Sequence, residues 1–264
     1  MRLVTMRTDR GFRAGLVRDD GYIDIPASAP DLPDSLRQLL ALGEVAGARL
    51  RQLSQRTDVV TYTRTQARLA APIPDPPKII CIGLNYKDHA VESKAPIPAE
   101  PVLFSKFSNA IIGPEQAIRL PKVSHEVDYE AELVVIIGKR GRYIPESQAW
   151  DYIAGYTIGH DVSARDWQLR KPGGQWLAGK TFDTFAPLGP FLVTADEVPN
   201  PHDLHIELRL NGQVMQRSNT SQMIFTVDKL VSYISQVVTL EPGDLIFTGT
   251  PSGVGFARKP PVFL

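Results

Sequence analysis

Two glutamates one residue apart head an apolar run, Asp128-Tyr129-Glu130-Ala131-Glu132-Leu133-Val134-Val135-Ile136-Ile137-Gly138. Side chains alternate along a strand, so Glu130 and Glu132 point the same way, while the unbroken apolar continuation predicts cover on both faces. Two like charges at such a boundary repel and lose hydration unless a cation lies between them or one is protonated. The competing reading is a strand whose first half stands in water. A third carboxylate favours the cation, because the apolar segment Tyr152 to His160 delivers Asp161 at its end, ahead of a polar helix predicted over Val162 to Arg170. Three carboxylates with no cysteine among them form an all-oxygen donor set, suited to Mg²⁺, Mn²⁺ or Ca²⁺ and not to structural zinc. His125 and His160 are either further ligands or hydrogen-bonded structural histidines.

A second constellation is Gly83-Leu84-Asn85-Tyr86-Lys87-Asp88-His89-Ala90-Val91-Glu92. With Asn85 capping a short helix, His89 and Glu92 share one face, and the carboxylate can orient the imidazole and raise its basicity. That arrangement serves a general base acting on water or on a carbon acid; a surface ion pair has the same spacing. Lys180 stands in an apolar and hydroxyl-bearing run, as a snorkelling surface lysine or as a buried cation facing an anion. The loop Thr248 to Gly255 offers several amides that could cradle a carboxylate. It has no Gly-Lys-Ser/Thr and no following helix pattern, so it is neither a Walker loop nor a dinucleotide fingerprint.

The elements that must position these groups can be read from pattern and composition. The chain has 264 residues, 29 Lys+Arg against 29 Asp+Glu, 43% hydrophobic and 22% charged residues. Such a composition folds, and zero net charge gives no long-range field for nucleic acid or anionic lipid. The single cysteine, Cys81, sits in an apolar run as a buried small hydrophobe, so no internal disulfide forms and a reducing compartment is expected. No apolar stretch approaches the roughly 20 residues of a bilayer helix, and the expectation is a soluble, cytoplasmic protein. Prolines number 22, about 8% where about 5% is usual. The cluster over residues 71–77 predicts a junction between a small N-terminal unit, 1–70, and a larger one, 78–264.

The N-terminal unit reads as strands over Arg2–Met6, Gly15–Val17 and Tyr22–Ile25, then helical spacing from Leu32 to Leu42 and over Val45–Leu53, and its expected role is packing or interface. Beyond it strands are expected over 78–83, 102–107, 117–120, 129–137, 155–158, 191–193, 204–210, 213–217 and 244–248. Asn211-Gly212 predicts a tight hairpin. Helices are expected over 146–153 and, behind a Thr226 cap, over 227–238. There is no strand-helix alternation, so the fold class is α+β, mostly β.

Together these residues resemble the fumarylacetoacetate hydrolase family, in its domain-containing branch. The segments that carry the resemblance are GLNYKDHAVE, EPVLFSKFSNAIIGP, DYEAELVVIIGKRGR, AGYTIGHDVSARDWQLR, GKTFDTFAPLGP, NTSQMIF and PGDLIFTGTPSGVG. It implies a mixed β-roll or β-sandwich catalytic domain behind a small N-terminal α+β domain, assembled as a homodimer. It also implies a divalent metal, Mg²⁺ or else Mn²⁺ or Ca²⁺, at Glu130, Glu132 and Asp161. His89 and Glu92 match the family's dyad and Lys180 its active-site lysine. Arg165, Gln168, Thr184 and Thr250 match positions around the metal or substrate. A lid is expected around Ser93 to Pro101. The family's chains continue past the segment matching Arg258 to Leu264, so further residues are expected there. The implied activity is on small 2-oxo or 2,4-dioxo acids through a metal-bound enolate: acylpyruvate-type C–C hydrolysis, or oxaloacetate tautomerisation or decarboxylation. The alternative is a non-catalytic carboxylate binder on the same fold.

Overall fold

A twelve-stranded sheet dominates the computed structural model, which describes residues 1–19 and 21–264. The chain opens with strands β1 (Arg2–Thr8), β2 (Gly11–Arg18) and β3 (Gly21–Asp24), helices α1 (Ile25–Ser28), α2 (Leu36–Ala41) and α3 (Glu44–Gln55), and strands β4 (Thr61–Thr63) and β5 (Arg68–Leu69). After residues 71–77, which form neither helix nor strand, come β6 (Ile79–Gly83), α4 (Lys87–Glu92), β7 (Val102–Ser105), β8 (Ile111–Ile112), β9 (Val127–Asp128), β10 (Ala131–Ile137) and β11 (Ile153–His160). The remainder is β12 (Ser163–Ala164), α5 (Arg165–Arg170), α6 (Trp176–Lys180), β13 (Ala186–Thr194), the hairpin β14 (His205–Leu210) and β15 (Gln213–Asn219), α7 (Val227–Val237) and β16 (Leu245–Phe247).

Strand order is β4-β3-β2-β1-β13-β11-β10-β16-β6-β7. The sheet therefore crosses from the N-terminal strands into the rest through β1 and β13, where Leu3 lies opposite Leu192. Central β10 is buried on both faces, as its apolar run predicts. Val134 and Ile136 join Leu3, Ile23, Leu36, Phe185 and Phe247 in one core. Leu133, Val135 and Ile137 meet Leu230, Val231 and Ile234 of α7 in another. Each such side chain contributes about 1.5–3 kcal/mol by leaving water, which fixes the strand that carries Glu132. Cys81 is buried in the first core, and burial pushes its thiol well above its usual range.

Several local expectations change. Residues 117–120, between Pro114 and Pro121, form no strand, and the Arg119 amide donates to the Thr184 hydroxyl instead. Glu146–Tyr152 is a 3₁₀ helix, and residues 162–170 divide into β12 and α5. Thr226 takes the N-cap position of α7 without a side-chain cap bond. Asn211 and Gly212 have φ of 51° and 79°, the left-handed pair of a tight hairpin. No helix among the described residues is long and apolar enough to cross a membrane.

Candidate active site

β9 and β10 are separated by a two-residue break that shapes the site. The Tyr129 amide turns to the Asp128 carboxylate at 2.8 Å and the Ala131 amide donates to Gln216 Oε1 at 2.8 Å, so the sheet ladder begins only after Glu130. Asp161 follows the end of β11, its amide bonded to the Glu130 carbonyl at 2.9 Å. One carboxylate oxygen each from Glu130, Glu132 and Asp161 lies within 4.8 Å of the others, all three side chains being buried.

Three buried cations surround them. Lys180 Nζ, at the end of α6, donates to Glu130 Oε2 at 2.7 Å and Asp161 Oδ2 at 2.8 Å. Arg165 reaches Glu130 Oε1 at 2.6 Å, Asp128 Oδ2 at 2.9 Å and Gln168 Oε1 at 2.9 Å. Lys106 Nζ forms an ion pair at 2.6 Å with Asp161 Oδ1. It also donates to the carbonyls of Val162 at 3.0 Å and Phe185 at 2.9 Å, and to that of Lys180. Among the described residues no Lys, Arg or His forms an ion pair with Glu132, whose Oε2 accepts the Gly249 amide at 2.8 Å. Four buried carboxylates, Asp128 included, thus face three buried cations.

The proton affinities follow this imbalance. Burial, then the charges of Asp161 and Glu130, push the Glu132 carboxyl well above the usual range. Burial also opposes ionisation at Glu130, but Lys180 and Arg165 hold its carboxyl well below that range. Burial lowers Lys106, with Asp161 opposing, whereas Asp161 and Glu130 outweigh burial at Lys180 and raise it. An all-oxygen trio in which one buried carboxyl has no cation partner, and so resists ionisation, fits a hard divalent cation that would let it ionise. His160 is outside that donor group; burial and then Lys106 bring its imidazole down to about 4, leaving it neutral. His125 is exposed, with its amide facing Asp166.

The dyad sits beside the trio. His89 Nδ1 lies 3.2 Å from Glu92 Oε2 on α4, with side chains 11% and 23% exposed, and the loop whose Gly249 amide holds Glu132 also holds Glu92 through Gly253. This is no open surface ion pair. The helix starts after Tyr86, so Asn85 is not its cap. Asn85 is instead wholly buried, donating to the carbonyls of Thr248 at 2.8 Å and Phe225 at 3.1 Å and accepting the Phe225 amide at 2.8 Å.

The glycine-rich loop after β16 does cradle carboxylates, and they belong to the chain itself. Gly249 donates to Glu132, Gly253 to both oxygens of Glu92 at 2.9 and 3.1 Å, and Gly255 to Asp128 at 2.7 Å. Gly253 has φ +103°, and a Cβ there would stand 2.1 Å from the Met215 carbonyl, so only glycine presents this amide.

Arg165 and Gln168 enter the site together, one turn apart on α5. The Thr250 hydroxyl is held by the scaffold, donating to the Ala131 carbonyl at 2.9 Å and accepting from Gln216 at 2.8 Å. Thr184 has φ 72°, and its hydroxyl accepts the Arg119 amide at 2.8 Å, on the 109–119 side of the fold. Sequence reasoning passed over Lys106, Asp128 and Gln216. Asp128 directly precedes the glutamate segment, and Lys106 interrupts an apolar run; each had a weak signal, whereas Gln216, on an alternating hairpin strand, had none.

Comparison with known proteins agrees with this geometry. Residues 78–264 match the fumarylacetoacetate (FAA) hydrolase C-terminal family. The chain is 51% identical over 254 residues to the mitochondrial oxaloacetate tautomerase of Xenopus laevis, covering 96% of this chain and 79% of that one. It is 48% identical over 269 residues to the human mitochondrial oxaloacetate tautomerase FAHD2A, covering 100% and 85%. Among solved structures, maleylpyruvate hydrolase from Sphingobium, in complex with manganese(II) and pyruvate, superposes with TM-score 0.79 at 32% identity, covering 99% of this chain and 91% of that one. Fumarylacetoacetate hydrolase from Exiguobacterium antarcticum superposes with TM-score 0.83 at 35% identity, covering 100% and 91%. The relatives' names overturn the cytoplasmic expectation: they point to the mitochondrion, a destination that zero net charge and missing apolar spans do not speak to. With the family's mostly-sheet α+β fold and a matching domain over residues 78–264, the chain belongs to the fumarylacetoacetate hydrolase family.

Proposed function

We propose that this chain is a divalent-cation-dependent oxaloacetate tautomerase. The observation that carries the proposal is a histidine-glutamate dyad beside a buried carboxylate trio with one uncompensated charge. The names of relatives near 50% identity support this substrate. Glu130, Glu132 and Asp161 would hold a divalent cation, which would supply Lewis-acid charge to a bound 2-oxo acid. Mg²⁺ is the proposed ion, with Mn²⁺ as the nearest substitute.

The chain's own groups do the rest. Glu92, fixed by the Gly253 amide, turns His89 Nδ1 toward itself and leaves Nε2 as the base. In the keto-to-enol direction Nε2 removes a proton from the carbon beside the carbonyl, and it returns that proton in reverse. Lys180 adds positive charge on the side where the oxygen becomes anionic, while Arg165 and Gln168 flank the trio and Thr250 and Thr184 hold the surrounding backbone in place. The same base acting on water would give acylpyruvate hydrolysis, the second reading, which the maleylpyruvate hydrolase neighbour favours. The division into 1–70 and 78–264, the lid over 93–101 and a homodimer complete the proposal; light scattering of the purified chain reads the last.

The test is NMR of oxaloacetate, acetylpyruvate and fumarylpyruvate with Mg²⁺ and with chelator. Faster enol-keto exchange that chelator abolishes is the expected result. Exchange unaffected by chelator ends the cation proposal, and C–C cleavage in place of exchange transfers the function to the hydrolytic reading.

A further inference from the structure

A cavity of about 540 Å³ shares no residue with the carboxylate site. It lies where β1, β3 and β5 meet the 114–116 turn and Pro190 of β13, and its lining includes Arg7, Arg64 and Arg68. Arg7 and Arg68 are direct partners in the antiparallel β1–β5 pair. Residues in that relation project to the same face, where like charges destabilise the pairing. Among the described residues, none of the three guanidiniums is ion-paired with a carboxylate, and Glu115, the acidic residue of the lining, reaches none of them. Arg7 is steadied over the Phe12 ring at 5.3 Å. Leu69, Pro114, Pro190 and Tyr22 supply the apolar part of the wall, and the volume lies in the range of small-molecule sites, about 300–1,000 Å³.

We propose that this cavity binds a small multivalent oxyanion, a phosphate or a polycarboxylate, gripped by Arg7, Arg64 and Arg68. A planar guanidinium matches the oxygen spacing of both anions. Three of them around one cavity call for more negative charge than a single carboxylate carries. The like-charge pair in register then becomes a local cost in stability that the ligand relieves, as is common at binding sites.

Isothermal titration of the Mg²⁺-loaded chain with inorganic phosphate and, separately, tricarballylate tests this, because both chelate the metal weakly. The expected result is saturable binding of at least one probe, one per chain, weakened about tenfold or more by Arg7→Gln or Arg68→Gln. Which probe binds assigns the ligand to phosphates or to polycarboxylates. The Arg7→Gln/Arg68→Gln double variant should keep wild-type turnover, and its ligand-free melting temperature should equal or exceed that of wild type. Failure of both probes to bind, binding that the double variant retains, or a lower melting temperature in that variant would each overturn the proposal.

Discussion

The N-terminal strands and the central strand of the sheet handle buried charge differently. Near the N-terminus, Asp24 is fully buried and fully matched: Arg13 grips its oxygens at 2.7 and 2.9 Å, and Oδ1 also caps α1 through the Ala27 amide at 3.1 Å. The buried carboxylate meets one guanidinium, whose outer nitrogen also reaches the exposed Asp34 at 3.4 Å, and the Arg13–Asp24 pair fixes how β2, β3 and α1 fit together. Around β10 the same chemistry does not balance, since Lys106, Arg165 and Lys180 face Asp128, Glu130, Glu132 and Asp161. An unmatched buried carboxylate is costly, and an all-oxygen cluster of this kind could hold a metal cation. The difference separates a charge pair that builds the fold from a charge set that builds a site.

Glu132→Ala should break the comparison most severely. It removes the unmatched charge, and turnover should fall to the chelator-treated level with no response to added Mg²⁺. His89→Ala should come next, with turnover reduced about 10²–10⁴-fold while Mn²⁺ titration still gives wild-type affinity. Unchanged turnover would remove His89 as the base. Gly253→Ala withdraws the amide that orients Glu92 but leaves Gly249 on Glu132. The expected result is a smaller loss of kcat, about tenfold, at unchanged Mn²⁺ affinity; a loss of metal binding would show that the loop acts as one unit. Arg13→Met sharpens the contrast from the other side. It strands Asp24 and should destabilise by about 3–5 kcal/mol, read by urea denaturation, with wild-type kcat in the folded enzyme.

The trio was legible because carboxylates at the head of an uninterrupted apolar strand have few fates, and Asp161 ends another such strand. The dyad was legible from spacing, but its shelter was not: Ser218, which binds Asp88 at 2.6 Å, and Gly253, which binds Glu92, come from distant segments. Lys106 shows the limit most clearly. A lysine at the end of β7 reads as a side chain reaching water, and only the assembled fold reveals Asp161 and the carbonyls of Val162 and Phe185 around it. The glycine-rich loop was readable as a source of free amides, yet not that the acids to fill it were already in the chain. Residues 71–77 were correctly barred from regular structure by their prolines, while local pattern gave no sign that one sheet passes from β1 to β13 beside them.

The most direct test of the account is calorimetric titration of Mn²⁺ into the metal-depleted wild-type chain and into Glu132→Gln, which keeps the side chain's shape and removes its charge. One Mn²⁺ bound per wild-type chain, with affinity lost in the variant while the Arg13–Asp24 region keeps its stability, is the predicted result. Equal binding by both proteins, or none by wild type, would contradict the claim that the unmatched carboxylate marks a metal site.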